Sequence, residues 1–164
     1  MGQLDYGYST PKGIAGGLFD LSDVEINTRT NEEEDGVLKL GVGVVQGTTP
    51  GTSVKLPASG AVSATFEGVV VNGMTFECDM TGKVRLNKNA TVGVIRTGKV
   101  WVRVPDSIEP KYGDTAYLIN NGENAGYFTT EASTNTVVKA RFIGAVDNGI
   151  APILLFNENN TVSA

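Results

Sequence analysis

Residues 100–104 read Val-Trp-Val-Arg-Val, and Pro105 ends the run. β-branched and aromatic residues at a strict period of two belong on the two faces of a strand, not around a helix. The same signature recurs in VLKLGVGVV (37–45), at Val54 to Leu56, and in FEGVVV, KVRL, TVGVI, TAYLI, YFTT, VVKARFIGAV (137–146) and PILLF (152–156). No segment carries a convincing helical period. About ten short strands at close spacing, with 21 glycines to supply turns, predict an all-β chain: one compact β-barrel or β-sandwich over residues 36–157. Residues 1–35 are expected as an extended N-terminal arm and acidic loop, and 158–164 as a polar tail. The expected inner face holds Val69, Val71, Val84, Leu86, Val100, Val102, Val104, Leu118, Phe142, Ile153 and Leu155, or the opposite face if the register slips by one. Asn72-Gly73, between two alternating runs, is the strongest hairpin signal.

One stretch competes with this reading. GVIRTGKV (93–100) matches seven of eight positions of the phosphate-binding loop template, with Gly93, Gly98 and Lys99 in place. The eighth position needs a hydroxyl for magnesium, and the chain has Val100. The template also needs a helix to follow, whose N-terminus meets the phosphates, whereas an alternating strand follows here. Thr-Gly-Lys-Val occurs twice, at 81–84 and 97–100, each time before an alternating run. Both copies are therefore expected as tight turns that start strands, and no nucleotide or other cofactor is expected.

The bulk chemistry removes several function classes. The chain lacks histidine, so Ser-His-Asp and Cys-His catalysis and histidine metal sites are excluded. The single cysteine, Cys78, cannot form an intrachain disulfide and is expected as a small apolar strand residue between Phe76 and Met80. A net charge of −5 is opposite to the basic excess that nucleic-acid binding requires. Arg85, Lys88, Arg96, Lys99 and Arg103 lie close in sequence and are expected on solvated strand faces and turns. The acidic run Glu32 to Asp35 lacks the alternation of a calcium loop and is expected as a solvated loop. Asp106 and Glu109 lie in ordinary loop context, and Asp114 resembles a turn residue before a strand. No catalytic, metal or cofactor residue is assigned. No apolar run is long enough to span a membrane, and residues 1–13 hold no hydrophobic signal core, so neither a membrane partner nor Sec-type export is expected.

The first 35 residues have no period, yet they are too rich in large apolar side chains for a disordered linker. Tyr6, Tyr8, Pro11, Ile14, Leu18, Phe19 and Leu21 are expected to pack on something: the chain's own barrel or a neighbouring subunit. These seven are the candidate capsid or inter-subunit contacts once the following resemblance is considered.

YSTPKGIAGGLFDLSD, NEEEDGVLKLGVGVVQGTTPGTSVKLP, FEGVVVNG, GKVWVRV, YGDTAYL and ARFIGAVDNGIAPILLFN, in that order, resemble the structural cement, or capsid decoration, proteins of tailed bacteriophages. The resemblance runs from about residue 6 to residue 157. It implies a small β protein on the outer face of the expanded capsid, assembled in the host cytoplasm. Such a protein binds the major capsid protein, bridges its subunits and stabilises the mature head, and it self-associates, often as a homotrimer. No residue-level contacts carry over. The rival readings are a tail or baseplate β module and a carbohydrate- or small-molecule-binding barrel using Trp101, Tyr112, Tyr117 and Tyr127. Aromatics are more often spent on cores and interfaces.

Overall fold

The computed structural model describes residues 13–73 and 78–156. Its strands are β1 (Glu25–Asn31), β2 (Gly43–Gln46), β3 (Ser53–Lys55), β4 (Phe66–Val70), β5 (Thr91–Arg103), β6 (Thr115–Leu118), β7 (Phe128–Thr129), β8 (Thr136–Phe142) and β9 (Ile150–Leu155). One 3₁₀ turn, Ser63–Thr65, precedes β4, and no α-helix occurs among the described residues. The order β1-β3-β2-β4-β5 closes on itself through a β1–β5 pairing, which makes a five-stranded barrel. From β5 a second antiparallel sheet continues as β9-β8-β6-β7.

β5 organises both halves. Its 13 residues span about 43 Å at ~3.3 Å per residue, longer than most strands. Thr91 to Thr97 pair with β1, and Val94 and Ile95 also pair with β4. Gly98 to Arg103 pair with β9. The hand-over falls at Gly98, where φ is +127° and an added Cβ would lie 2.7 Å from Val24 Cγ1. Only glycine takes that backbone without strain while the Asp23–Val24 segment leading into β1 approaches so closely.

Two buried clusters follow from the alternation. Val44, Val54, Val70, Val92 and Val94 pack with Leu38, Val42 and Leu86. Val45, Val69, Ile95, Val100, Val102, Leu118, Phe128, Phe142, Ile153 and Leu155 make the larger core. The neighbours Val44/Val45, Val69/Val70 and Val94/Ile95 fall into different clusters, so the β2–β4–β5 wall is covered on both faces. Double burial explains why its sequences read as unbroken apolar runs. β8, with one wet face, alternates cleanly between buried and exposed positions.

Several expectations need correction. TVGVI and VWVRV are one strand, so the second Thr-Gly-Lys lies inside β5 rather than in a turn. The first is a turn, closed by Gly82 N–H donating to Asp79 O. Of 37–45 only the end is strand, because Gly41 and the turn at Gly36 bend the chain first. Asn72-Gly73 does not close a hairpin on β4: that strand's two edges are taken by β2 and β5, and Asn72 N–H donates to Gly16 O. Residues 74–77, the start of the proposed return strand, lie outside the described residues. Ten of the eleven expected core residues are buried; Val84, in an isolated bridge with Cys78, is 43% exposed. Cys78 itself is exposed rather than packed. The barrel begins at Glu25, inside the segment expected as arm and acidic loop.

The acidic run is not simply solvated. Glu32 accepts from Thr48 N–H and from the hydroxyls of Thr48 and Ser53. Glu33 accepts from Leu56 N–H at 2.8 Å. Asp35 accepts from Lys88 N–H at 2.8 Å, and Glu34 pairs with Lys88 Nζ at 2.6 Å. These carboxylates serve donors that the β2–β3 loop and the 86–90 turn leave without ladder partners. Hydrogen bonds to the charged form, Ser53 first and then Thr48, hold Glu32 below the ordinary carboxylate range.

Candidate interaction surface on the N-terminal arm

β1 and β4 leave the 99–101 edge of β5 open, and residues 16–19 fill it. Gly16 N–H donates to Trp101 O at 2.8 Å, Trp101 N–H to Gly17 O at 2.9 Å, and Phe19 N–H to Lys99 O at 3.0 Å. Leu18 forms an antiparallel bridge with Val100 and packs against the larger core. The segment therefore acts as an additional edge strand.

Trp101 is the platform. By alternation it points away from the side occupied by Val100 and Val102, yet it is only 5% exposed. Gly13 lies directly on its indole, where an added Cβ would fall 2.2 Å from Cε2. The Phe19 ring meets it at 5.7 Å between centroids, tilted by 43°. A latch closes the far end, where Lys99 Nζ pairs with the Asp20 carboxylate. Asp20 also accepts from Ser22 N–H at 3.1 Å. The Lys99 hydrogen bond, followed by that of the Ser22 hydroxyl, lowers the Asp20 pKa to about 2.

The candidate contact residues divide accordingly. Leu18 is half-buried and structural. Ile14, Phe19 and Leu21 are 58%, 45% and 93% exposed, although Phe19 N–H is bonded to β5 and Ile14 O accepts from Gly17 N–H within the arm. Tyr6, Tyr8 and Pro11 lie outside the described residues. Sequence reasoning missed Trp101 as the seat and the Asp20–Lys99 latch. The first is partly legible as a bulky residue on the outward face of the longest run. The second, 79 positions apart, has no local signal. Val24, just before β1, and Ile26, on it, are 40% and 45% exposed and extend the apolar surface beyond Leu21.

The other candidates do not converge on chemistry. Trp101 is covered by the arm, Tyr127 sits under Lys39 Nζ at 5.9 Å, and Tyr112 stands exposed in the turn before β6. The five basic residues have separate partners: Arg85 with Asp35, Lys88 with Glu34, Arg96 with Glu67, Lys99 with Asp20, and Arg103 Nε donating to Leu40 O. Asp114 accepts from Lys111 N–H, as a turn residue would. Among the described residues no three acidic or cysteine side chains gather to hold a metal ion.

The sequence matches the family described as structural cement protein (E217 gp24/Pam3 gp6) over residues 2–156. A chain in the solved structure "The capsid of Myoviridae Phage XM1" has the same fold, with a TM-score of 0.73 and 18% identity over 92% of this chain and 94% of that one. No curated protein matches the sequence. With nearly its whole length covered by that family, the chain belongs to the structural cement proteins of tailed bacteriophages and has a structural role in the phage capsid.

Proposed function

We propose that this protein is a decoration protein that binds the outer surface of the expanded capsid, bridges neighbouring major capsid protein subunits and stabilises the mature head. The observation that carries the reading is the arm. Exposed apolar side chains at Ile14, Phe19 and Leu21 stand on and beside residues 16–19, whose backbone is already hydrogen-bonded to β5. A contact surface ordered before binding loses little conformational entropy when it docks. Apolar and aromatic side chains so placed are the usual anchors of interfaces.

Stabilisation then follows from linkage. A protein that binds the expanded lattice and not its precursor lowers the free energy of the expanded form by RT ln(1 + [L]/Kd) per site. Self-association, with a trimer as the expected state, adds avidity, because later contacts become intramolecular.

The test is sedimentation of the purified protein with expanded, undecorated capsids of its phage. Co-pelleting that saturates at a fixed ratio to the capsid protein supports the reading. Protein left in the supernatant, while particles of the same phage carry it, favours a tail or baseplate position.

A further inference from the structure

We propose that the segment following the latch, residues 21–25, docks into a cationic groove of a second copy of this chain. The inference rests on the reading that the arm makes inter-subunit contacts, and it names the neighbour for the arm's C-terminal end. The groove has a volume of about 660 Å³ and lies against the Arg103 end of β5. Its walls include the exposed Ile14 and Val84, above buried Leu38 and Leu86. Among the described residues, its rim carries Lys39, Lys83, Arg85 and Arg103 and two carboxylates, Asp35 and Asp79. Both carboxylates are occupied locally. Asp35 accepts from Arg85 and from Lys88 N–H. Asp79 accepts from Thr81 N–H, the Thr81 hydroxyl and Lys83 N–H. The groove is thus a positive concavity with apolar walls on a chain whose net charge is −5.

Residues 21–25 have the complementary chemistry. Leu21 is 93% exposed, Val24 is also exposed, and the carboxylates of Asp23 and Glu25 stand in solvent between and beside them. Asp20 is excluded from the contact by Lys99. The segment cannot fill its own groove. Arg103 lines the groove and Thr97 lines the hollow beside Asp23, six residues apart on one strand, or about 20 Å at ~3.3 Å per residue. Two different patches meeting between copies make a heterologous contact, which closes into a ring when the rotation allows.

The experiment is sedimentation of the purified full chain across concentration at about 0.05 M and 0.5 M salt, where surface charge is weakly and strongly screened. Wild type is expected to self-associate, more weakly at high salt. Lys39→Glu/Lys83→Glu and Asp23→Lys/Glu25→Lys alter only exposed side chains, and each is expected to weaken association about tenfold or more through like-charge juxtaposition. An equimolar mixture of the two variants pairs an original knob with an original groove, and a reversed knob with a reversed groove. It is expected to associate again, which misfolded variants would not do. A wild type monomeric at all concentrations, variants that associate like wild type, or a mixture that stays monomeric would each overturn the proposal. No capsid is present in this assay, so failure here is distinct from failure of the pelleting test above.

Discussion

Phe19→Ala separates the two roles of the arm. The ring is 45% exposed, so a little over half of it is buried, mainly on Trp101. Taking about 150 Å² for a fully buried ring, ~80 Å² is lost, worth about 2 kcal/mol at ~25 cal/mol per Å². The tilted ring pair adds roughly 0.5–1.5 kcal/mol, and because area sums are upper estimates the expected loss of stability is about 2–3 kcal/mol. Urea denaturation followed by far-ultraviolet circular dichroism measures it. The chain has one tryptophan, so emission from Trp101 reports the seat directly and should move to longer wavelength in the folded variant. Leu21→Ala is the matched control: at 93% exposure it should change stability by less than about 0.5 kcal/mol and leave the emission unmoved. It should nonetheless weaken assembly if the arm is the contact. A Phe19→Ala protein as stable as wild type, with unshifted emission, would refute the seating argument.

Other expectations follow from the same geometry. Gly98→Val should cost about 2–3 kcal/mol in chemical denaturation, since φ of +127° and the 2.7 Å approach to Val24 both penalise a side chain. Phe142→Ala, at a fully buried position, should cost about 3–5 kcal/mol by the same assay. The folded-state pKa of Glu32 lies below its ordinary value of 4.5, so its contribution is complete above that pH and is lost as pH falls through the depressed value; Glu32→Gln should flatten the acid limb of a stability-versus-pH curve in that window. Magnesium-ATP should leave the thermal midpoint unchanged, because Gly93 to Val100 lie within β5 and no helix N-terminus follows; a saturable rise would revive the nucleotide reading.

What could be read from the sequence was set by how local the cause is. The core positions on β8 follow from side-chain period alone, and β9 follows from its short apolar run; both strands were legible. The length of β5 was not, because Gly98 looks like a turn until the second sheet is seen to continue the strand beyond it. Asn72-Gly73 carried a strong local signal that tertiary pairing overrode: β2 and β5 already occupied the edges a hairpin would use. The acidic run failed for the converse reason. Its donors, Thr48, Ser53, Leu56 and Lys88, lie 16 to 54 positions away, so clustered charge looked like solvent exposure. In the arm, aromatic and aliphatic content correctly marked a packing segment. Which side chains face the chain's own sheet and which face outward depends on Trp101, which only the fold brings beneath residues 13–19.

The antiparallel seating of the arm has a mechanical consequence. Residues 16–19 run alongside β5, so tension applied along the arm slides the two strands past one another and loads their three main-chain hydrogen bonds together. A pull perpendicular to the sheet would instead unzip them one at a time, at much lower force. β5 spreads the load further, since its two halves are tied to β1 and β9. If the arm is the contact, lateral strain between neighbours meets the stiff direction of this molecule, and lifting the arm outward meets the soft one.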